Sequence, residues 1–164
     1  MSTPAPPDRD RDAGGRPRNA RARDALGRPL PLGAPGVTGV PADLVLPAAE
    51  ALRQAQAFLD EGRAFHAHEV LEAAWKAAPP AERELWRGLA QLAVGLTHAQ
   101  RGNAVGAVRL LRRAVDRIEE YAAEPPHGVG VPALVRWSRT LALRIEQGGL
   151  PGLPPAELAP RLLR

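Results

Sequence analysis

Phe65-His-Ala-His-Glu-Val-Leu-Glu-Ala-Ala-Trp75 is the stretch whose reading decides the fold. On a helical wheel turning about 100° per residue, Ala64, Phe65, His68, Leu71, Glu72 and Trp75 fall within one arc of about 120°. His66, Ala73 and Ala77 lie opposite, with Glu69 and Lys76 at the margin. The spacing predicts an amphipathic helix over residues 64–77, stopped by Pro79-Pro80. Its apolar stripe carries an imidazole and a carboxylate one turn apart, His68 and Glu72. A carboxylate buried alone costs several kcal/mol (roughly), so this one must be paired, hydrogen-bonded or protonated.

The neighbouring segments read the same way. Upstream, Asp43-Leu-Val-Leu-Pro47 reads as a helix entrance, with Pro47 in the first turn. From there to Asp60 one side is apolar through Leu44, Ala48, Leu52, Ala55 and Leu59, and Gly62 closes the helix. Downstream, a third helix runs over about 81–101. Leu85, Leu89, Leu92 and Leu96 form its stripe, and Gly88, Gly95 and Ala99 form a small-residue strip that lets another helix come close. After Gly102, Asn103 is a natural N-cap for a fourth helix reaching about Tyr121. Its outer face carries Arg109, Arg112, Arg113 and Arg117 interrupted by acids, and Arg112 and Asp116 have the spacing of a pair. A fifth helix over residues 132–147 turns Leu134, Trp137, Ser138, Leu141 and Ile145 inward. Gly62 and Gly102 mark matching helix–Gly–helix junctions forty residues apart. The thirty-four-residue period of a tetratricopeptide array is therefore absent.

No stretch alternates with period two over strand length. The fold class is all-α: a five-helix antiparallel bundle made of two stacked helical hairpins plus a C-terminal helix. The bundle spans residues 43–147. Before it lies a leader, residues 1–42, with seven Arg, four Asp, eight Pro and six Gly. Such a composition buries too little apolar surface to offset its ordering entropy and reads as disordered. Its portion Asp24–Gly33, with three leucines between turn-formers, is either a loose linker or an extended strip along the domain. Residues 148–164 form a Pro-rich tail, expected to be loosely attached.

Composition narrows the function classes. The 164 residues contain no cysteine, which excludes disulfides, iron–sulfur clusters and thiolate zinc sites. No apolar run approaches the roughly 20 residues of a membrane span, and the N-terminal residues lack the pattern of a signal peptide. The expected location is the cytoplasm. The net charge is +4 and the isoelectric point about 10.8, because Lys76 is the single lysine among the basic residues. Arg in place of Lys, with abundant Ala, Gly and Pro, fits codon bias in a GC-rich genome. The modest charge weighs against a nucleic-acid partner. No phosphate-cradling glycine loop or nucleophile elbow is present, and nothing calls for a cofactor.

The polar constellation is His68, Glu69, Glu72 and Trp75, with Gln91 and His98 on the third helix as further members. Three readings stand. One is a structural network in which His68 bonds Glu72 or a group on helix three, and Trp75 adds packing and an indole donor. Another is a pocket with His68 and Glu72 as acid–base groups. The third is a metal site, with His68 and Glu72 at i, i+4 and His98 or Glu69 as added donors. That third set lacks the second histidine of a zincin and the duplicated Glu-x-x-His of a di-iron site.

Three ordered motifs also resemble a known family. Gly62 to Trp75, Leu89 to His98 and Arg101 to Ala107 are similar to the bacterial and archaeal family called domain of unknown function 309. Its His-Glu-x-x-Glu-x-x-Trp helix is matched by His68, Glu69, Glu72 and Trp75, its Gln-Leu-Ala helix by Gln91 to Ala93, and its Arg-Gly-Asn turn by Arg101 to Asn103. The resemblance covers about residues 47–122, and the leader resembles longer, actinobacterial-type members. It implies a small all-α bundle and brings no activity, cofactor or partner with it. The function expected from the residues is therefore a non-catalytic scaffold or protein-interaction domain, self-associating or with a protein partner and without a membrane. The alternatives are a hydrolase-like or metal-dependent enzyme using His68 and Glu72, and a nucleic-acid accessory protein.

Overall fold

The computed structural model describes residues 22–31 and 33–164. The reading of residues 1–21 and 32 as leader lies outside the described residues. Among the described residues the chain forms five α-helices and no strand: α1 (Ala48–Asp60), α2 (Ala64–Ala77), α3 (Arg83–Gln100), α4 (Ala104–Ile118) and α5 (Val131–Gly148). Each helix packs on the next in sequence, so the expected all-α bundle of two hairpins plus a closing helix is what the chain builds.

Both hairpin turns rest on a glycine in the left-handed region, Gly62 at φ 72° and Gly102 at φ 81°, where a side chain would strain the backbone. The Gln100 amide donates to the Gly62 carbonyl at 2.8 Å and ties one turn to the other. Asn103 caps α4 as its residue type requires, its Oδ1 accepting from the Gly106 N–H at 2.9 Å. The small-residue strip of α3 is where α4 crosses. A Cβ on Gly88 would lie 2.5 Å from Ile118 Cγ2, and one on Gly95 would lie 3.2 Å from the Leu111 nitrogen. The four leucines of the α3 stripe are fully buried beside it.

Three expectations are corrected. Helix α1 begins at Ala48, not at Asp43, because Pro47 sits at the N-cap position with ψ 146°. A residue preceding proline is held out of the helical region, so Leu46 cannot carry the helix backward. Arg112 pairs with Glu146 of α5 at 2.7 Å rather than with Asp116. The tail is docked, not loose. Leu162 is fully buried, and the Gly130 N–H donates to its carbonyl at 2.8 Å. Gln56 of α1 brackets this segment, donating to the Pro160 carbonyl at 2.9 Å and accepting from the Leu162 N–H at 2.8 Å.

From residue 22 on, the leader is docked on the bundle, and its portion Asp24–Gly33 is neither a loose linker nor an extended strip. Residues 23–29 make a tight loop closed by an antiparallel bridge between Arg23 and Pro29. The chain then runs back along α2 to the start of α1.

Candidate functional site

Helix α2 is flanked by α1 and α3 and therefore buries two faces, not one stripe. This shifts the burial pattern that a single 120° arc predicts. His66, expected on the outer side, is buried with 1% exposure, its ring 5.6 Å from Phe58 and 6.0 Å from Phe65. His68, Glu72 and Trp75, expected in the core, are half-buried at its edge. Burial, and then the charge of Arg63, push the His66 imidazole below its ordinary value, so it is a neutral core ring.

The His68–Glu72 pair does form. Nε2 of His68 lies 3.2 Å from Oε2 of Glu72, and Lys76, one turn further, reaches Oε1 of the same carboxylate at 3.1 Å. Burial pushes His68 down. The Glu72 charge, the Ala90 backbone carbonyl on α3 and the Glu69 charge act against that without reversing it. The ring therefore favours its neutral form and lies at ion-pair distance from the Glu72 carboxylate. Its Nδ1 is buried without a hydrogen bond of normal geometry. Glu69 faces the leader, and its Oε2 accepts from the Val40 backbone N–H at 3.2 Å. Glu69 and Glu72 line a solvent-open cleft of about 590 Å³ between α2 and the segment from Val40 to Val45.

The constellation does not extend further. Trp75 packs under the Arg87 guanidinium, 5.6 Å from the ring centroid. Gln91 faces α4, its Oε1 accepting from Arg117 Nε at 2.9 Å, and Arg117 also pairs with Glu84. His98 lies about 12 Å along α3 from Ala90, at 1.5 Å rise per residue. Its Nδ1 is 3.0 Å from the Asn103 amide nitrogen. His98 therefore does not join His68 and Glu72. Among the described residues no three of His, Asp or Glu are placed to hold one metal ion.

Sequence reasoning missed a second set of groups, at the N-terminal end of α2. Phe65 lies under two guanidiniums, Arg23 at 4.8 Å and Arg101 at 5.7 Å from its centroid. Arg101 also donates from Nε and Nη2 to the Leu26 carbonyl, at 3.1 and 2.9 Å. Arg63 reaches the Thr38 carbonyl at 3.1 Å. The available signal was Asp24 three residues before Gly27, an Asx-turn pattern. Asp24 Oδ1 indeed accepts from the N–H groups of Leu26 and Arg28.

One comparison falls on this part of the helical frame. Residues 52–110 match the family model described as domain of unknown function (DUF309). This segment resembles that family. Uncharacterized protein YpuF of Bacillus subtilis (strain 168) is 41% identical over 84 residues, a match covering 50% of this chain and 48% of that protein. The chain thus spans about half the length of the curated relative it matches. No solved structure matches. The DUF309 match takes in α2, α3 and the hairpin turns, and leaves α5, the docked tail and the leader outside it.

Proposed function

We propose that this domain is a non-catalytic helical scaffold, an interaction domain of the cytoplasm, whose motif helix holds an extended segment of chain. The observation that carries this reading is the Glu69–Val40 hydrogen bond. A carboxylate of the motif is used to grip the backbone of a non-helical segment, the mode of recognition that fixes a chain without regard to its side chains. The other polar groups of the motif are also engaged internally, His68 with Glu72 and Glu72 with Lys76. A protein partner or a second copy fits such a face. No described helix is long and apolar enough to cross a membrane.

The cleft beside Glu69 and Glu72 favours a second reading, a hydrolase-like enzyme in which these carboxylates and His68 act on a bound molecule. One experiment separates the two. In the full chain, Glu69→Ala should speed amide exchange at Val40 and its neighbours at least tenfold while leaving helical content unchanged. Unchanged exchange there, together with turnover of an ester or phosphoester probe that His68→Ala abolishes, would reverse the assignment.

A further inference from the structure

The loop of residues 23–29 is built as a ligand is built. Its conformation is held from within: the Asp24 N–H donates to the Arg28 carbonyl at 3.0 Å, the Gly27 N–H to the Asp24 carbonyl at 2.9 Å, and Arg23 Nη1 to the Gly27 carbonyl at 2.6 Å. It meets the bundle at the corner made by Phe65 of α2 and Arg101. There Gly27 is buried at φ 75°, so close that a Cβ would lie 2.1 Å from Phe65 Cγ and 2.5 Å from Phe65 Cβ. These are the stem of the side chain, which cannot swing aside. A preorganised loop binds with little ordering cost.

We infer that the Phe65–Arg101 corner is a recognition site for an arginine-containing turn with glycine four residues after the arginine, and that residues 23–29 are its resident ligand, exchangeable for the same segment supplied from another copy of this chain. The inference rests on the scaffold reading and adds the partner to it. The features recognised are separate and named. Gly27 admits the close approach to Phe65, Arg23 stacks on that ring, and the Leu26 carbonyl takes both donors of Arg101. Asp24 belongs to the pattern because Arg101 already places a positive charge at the corner. The loop brings two more, Arg23 and Arg28, and the Asp24 carboxylate offsets one of them.

Residues 30–37 tether the loop to Thr38 and Val40, where Arg63 and Glu69 hold the chain on α2. A short flexible tether gives an effective concentration on the order of 1 mM. A loop with an intrinsic Kd of about 0.1 mM is then docked roughly nine-tenths of the time, and a free copy must compete about tenfold. A weak site is thus kept covered, yet can be reopened by a local copy at high concentration.

The test uses the full chain and a synthetic peptide of residues 22–31. Gly27→Val in the chain should eject its own loop, since a β-branched residue does not tolerate this φ and its Cβ overlaps Phe65. Arg23→Ala is a second release variant, and circular dichroism confirms that both keep the bundle. The wild-type peptide should bind the released chains about tenfold more tightly than the wild-type chain, shifting backbone resonances of residues 63–69 and 98–103. A peptide carrying Gly27→Val should not bind, and Arg101→Gln placed in the released chain should abolish binding. Equal affinity for released and wild-type chains, or no binding to either released chain at millimolar peptide, would overturn the inference. If the peptide fails while Val40 remains protected through Glu69, the exchangeable site falls and the scaffold reading stands.

Discussion

His68 Nε2 lies 3.2 Å from Oε2 of Glu72, whose far carboxylate oxygen is met by Lys76 at 3.1 Å. The charge balance of this chain of three groups is complete without a proton on the imidazole. Burial of the ring keeps it that way, against the pull of the acid beside it.

Stability should therefore fall as pH drops below about 6.5. His66, His68 and His98 all have values pushed below their ordinary 6.5, in each case first by burial. Between the lowered native value and 6.5 the unfolded chain binds protons that the native state refuses, so stability rises with pH across that window and is fully present above it. Urea unfolding at pH 5 and pH 7.5 checks this, with a lower midpoint at pH 5. His66→Phe should reduce the difference, because the ring lies among Phe58 and Phe65. An unchanged difference in that variant would remove His66 from the account.

Removing the His68 ring should cost more than removing its partner's charge. His68 has 22% and Glu72 35% of its side chain exposed. His68→Ala loses packing on Phe65, whose ring centroid is 6.0 Å away, as well as the polar contact with Glu72, and should destabilise by about 1–2 kcal/mol. Glu72→Gln keeps the shape of the side chain and a polar atom beside Nε2, and should cost under about 1 kcal/mol, as half-exposed ion pairs do. Denaturant midpoints at pH 7.5 would show the order. A reversed order would mean that the charge, not the ring, holds this edge of α2.

Gln56→Ala should loosen the tail. The substitution leaves the Pro160 carbonyl and the Leu162 N–H without their partner, a loss of about 1–3 kcal/mol for partly buried groups. Amide exchange at Leu162 should accelerate in step. Stability within about 0.5 kcal/mol of wild type would show that Leu162 is held by its burial alone.

At Gly88 two effects oppose each other. Alanine gains about 1 kcal/mol in helix propensity, but its Cβ would meet Ile118 Cγ2 at 2.5 Å and Arg117 Cβ at 3.1 Å. Ile118 is fully buried and has nowhere to retreat. Overpacking of this kind costs about 1–3 kcal/mol, so Gly88→Ala should destabilise the bundle by about 1 kcal/mol. A more stable variant would show that α4 can move outward at that crossing.

Periodicity and glycine placement made most of the frame legible. Leu85, Leu89, Leu92 and Leu96 announce a buried face at helical spacing, and Gly62 and Gly102 announce the hairpins. What periodicity could not convey is how many neighbours a helix has. Helix α2 has one on each side, so His66 went inward and His68 to the edge. Gln91 and His98 occupy faces of α3 that meet different partners, which a wheel of α3 alone does not separate. The leader and tail escaped for another reason. Their contacts are scattered hydrogen bonds, one buried leucine and one glycine against one ring, made between residues far apart in sequence and leaving no repeat to detect.

The bracket between Gln56 and Leu162 spans 106 residues, whereas the main helix-to-helix packings of the bundle join neighbours in the chain. The two kinds of contact become available at different times. As the chain is synthesised, each helix can settle on the one before it as soon as it emerges. Helix α1, the first to appear, must wait for the segment that secures its outer side. At about 5–20 residues per second that interval is on the order of 5–20 s, during which Gln56 offers its amide to water.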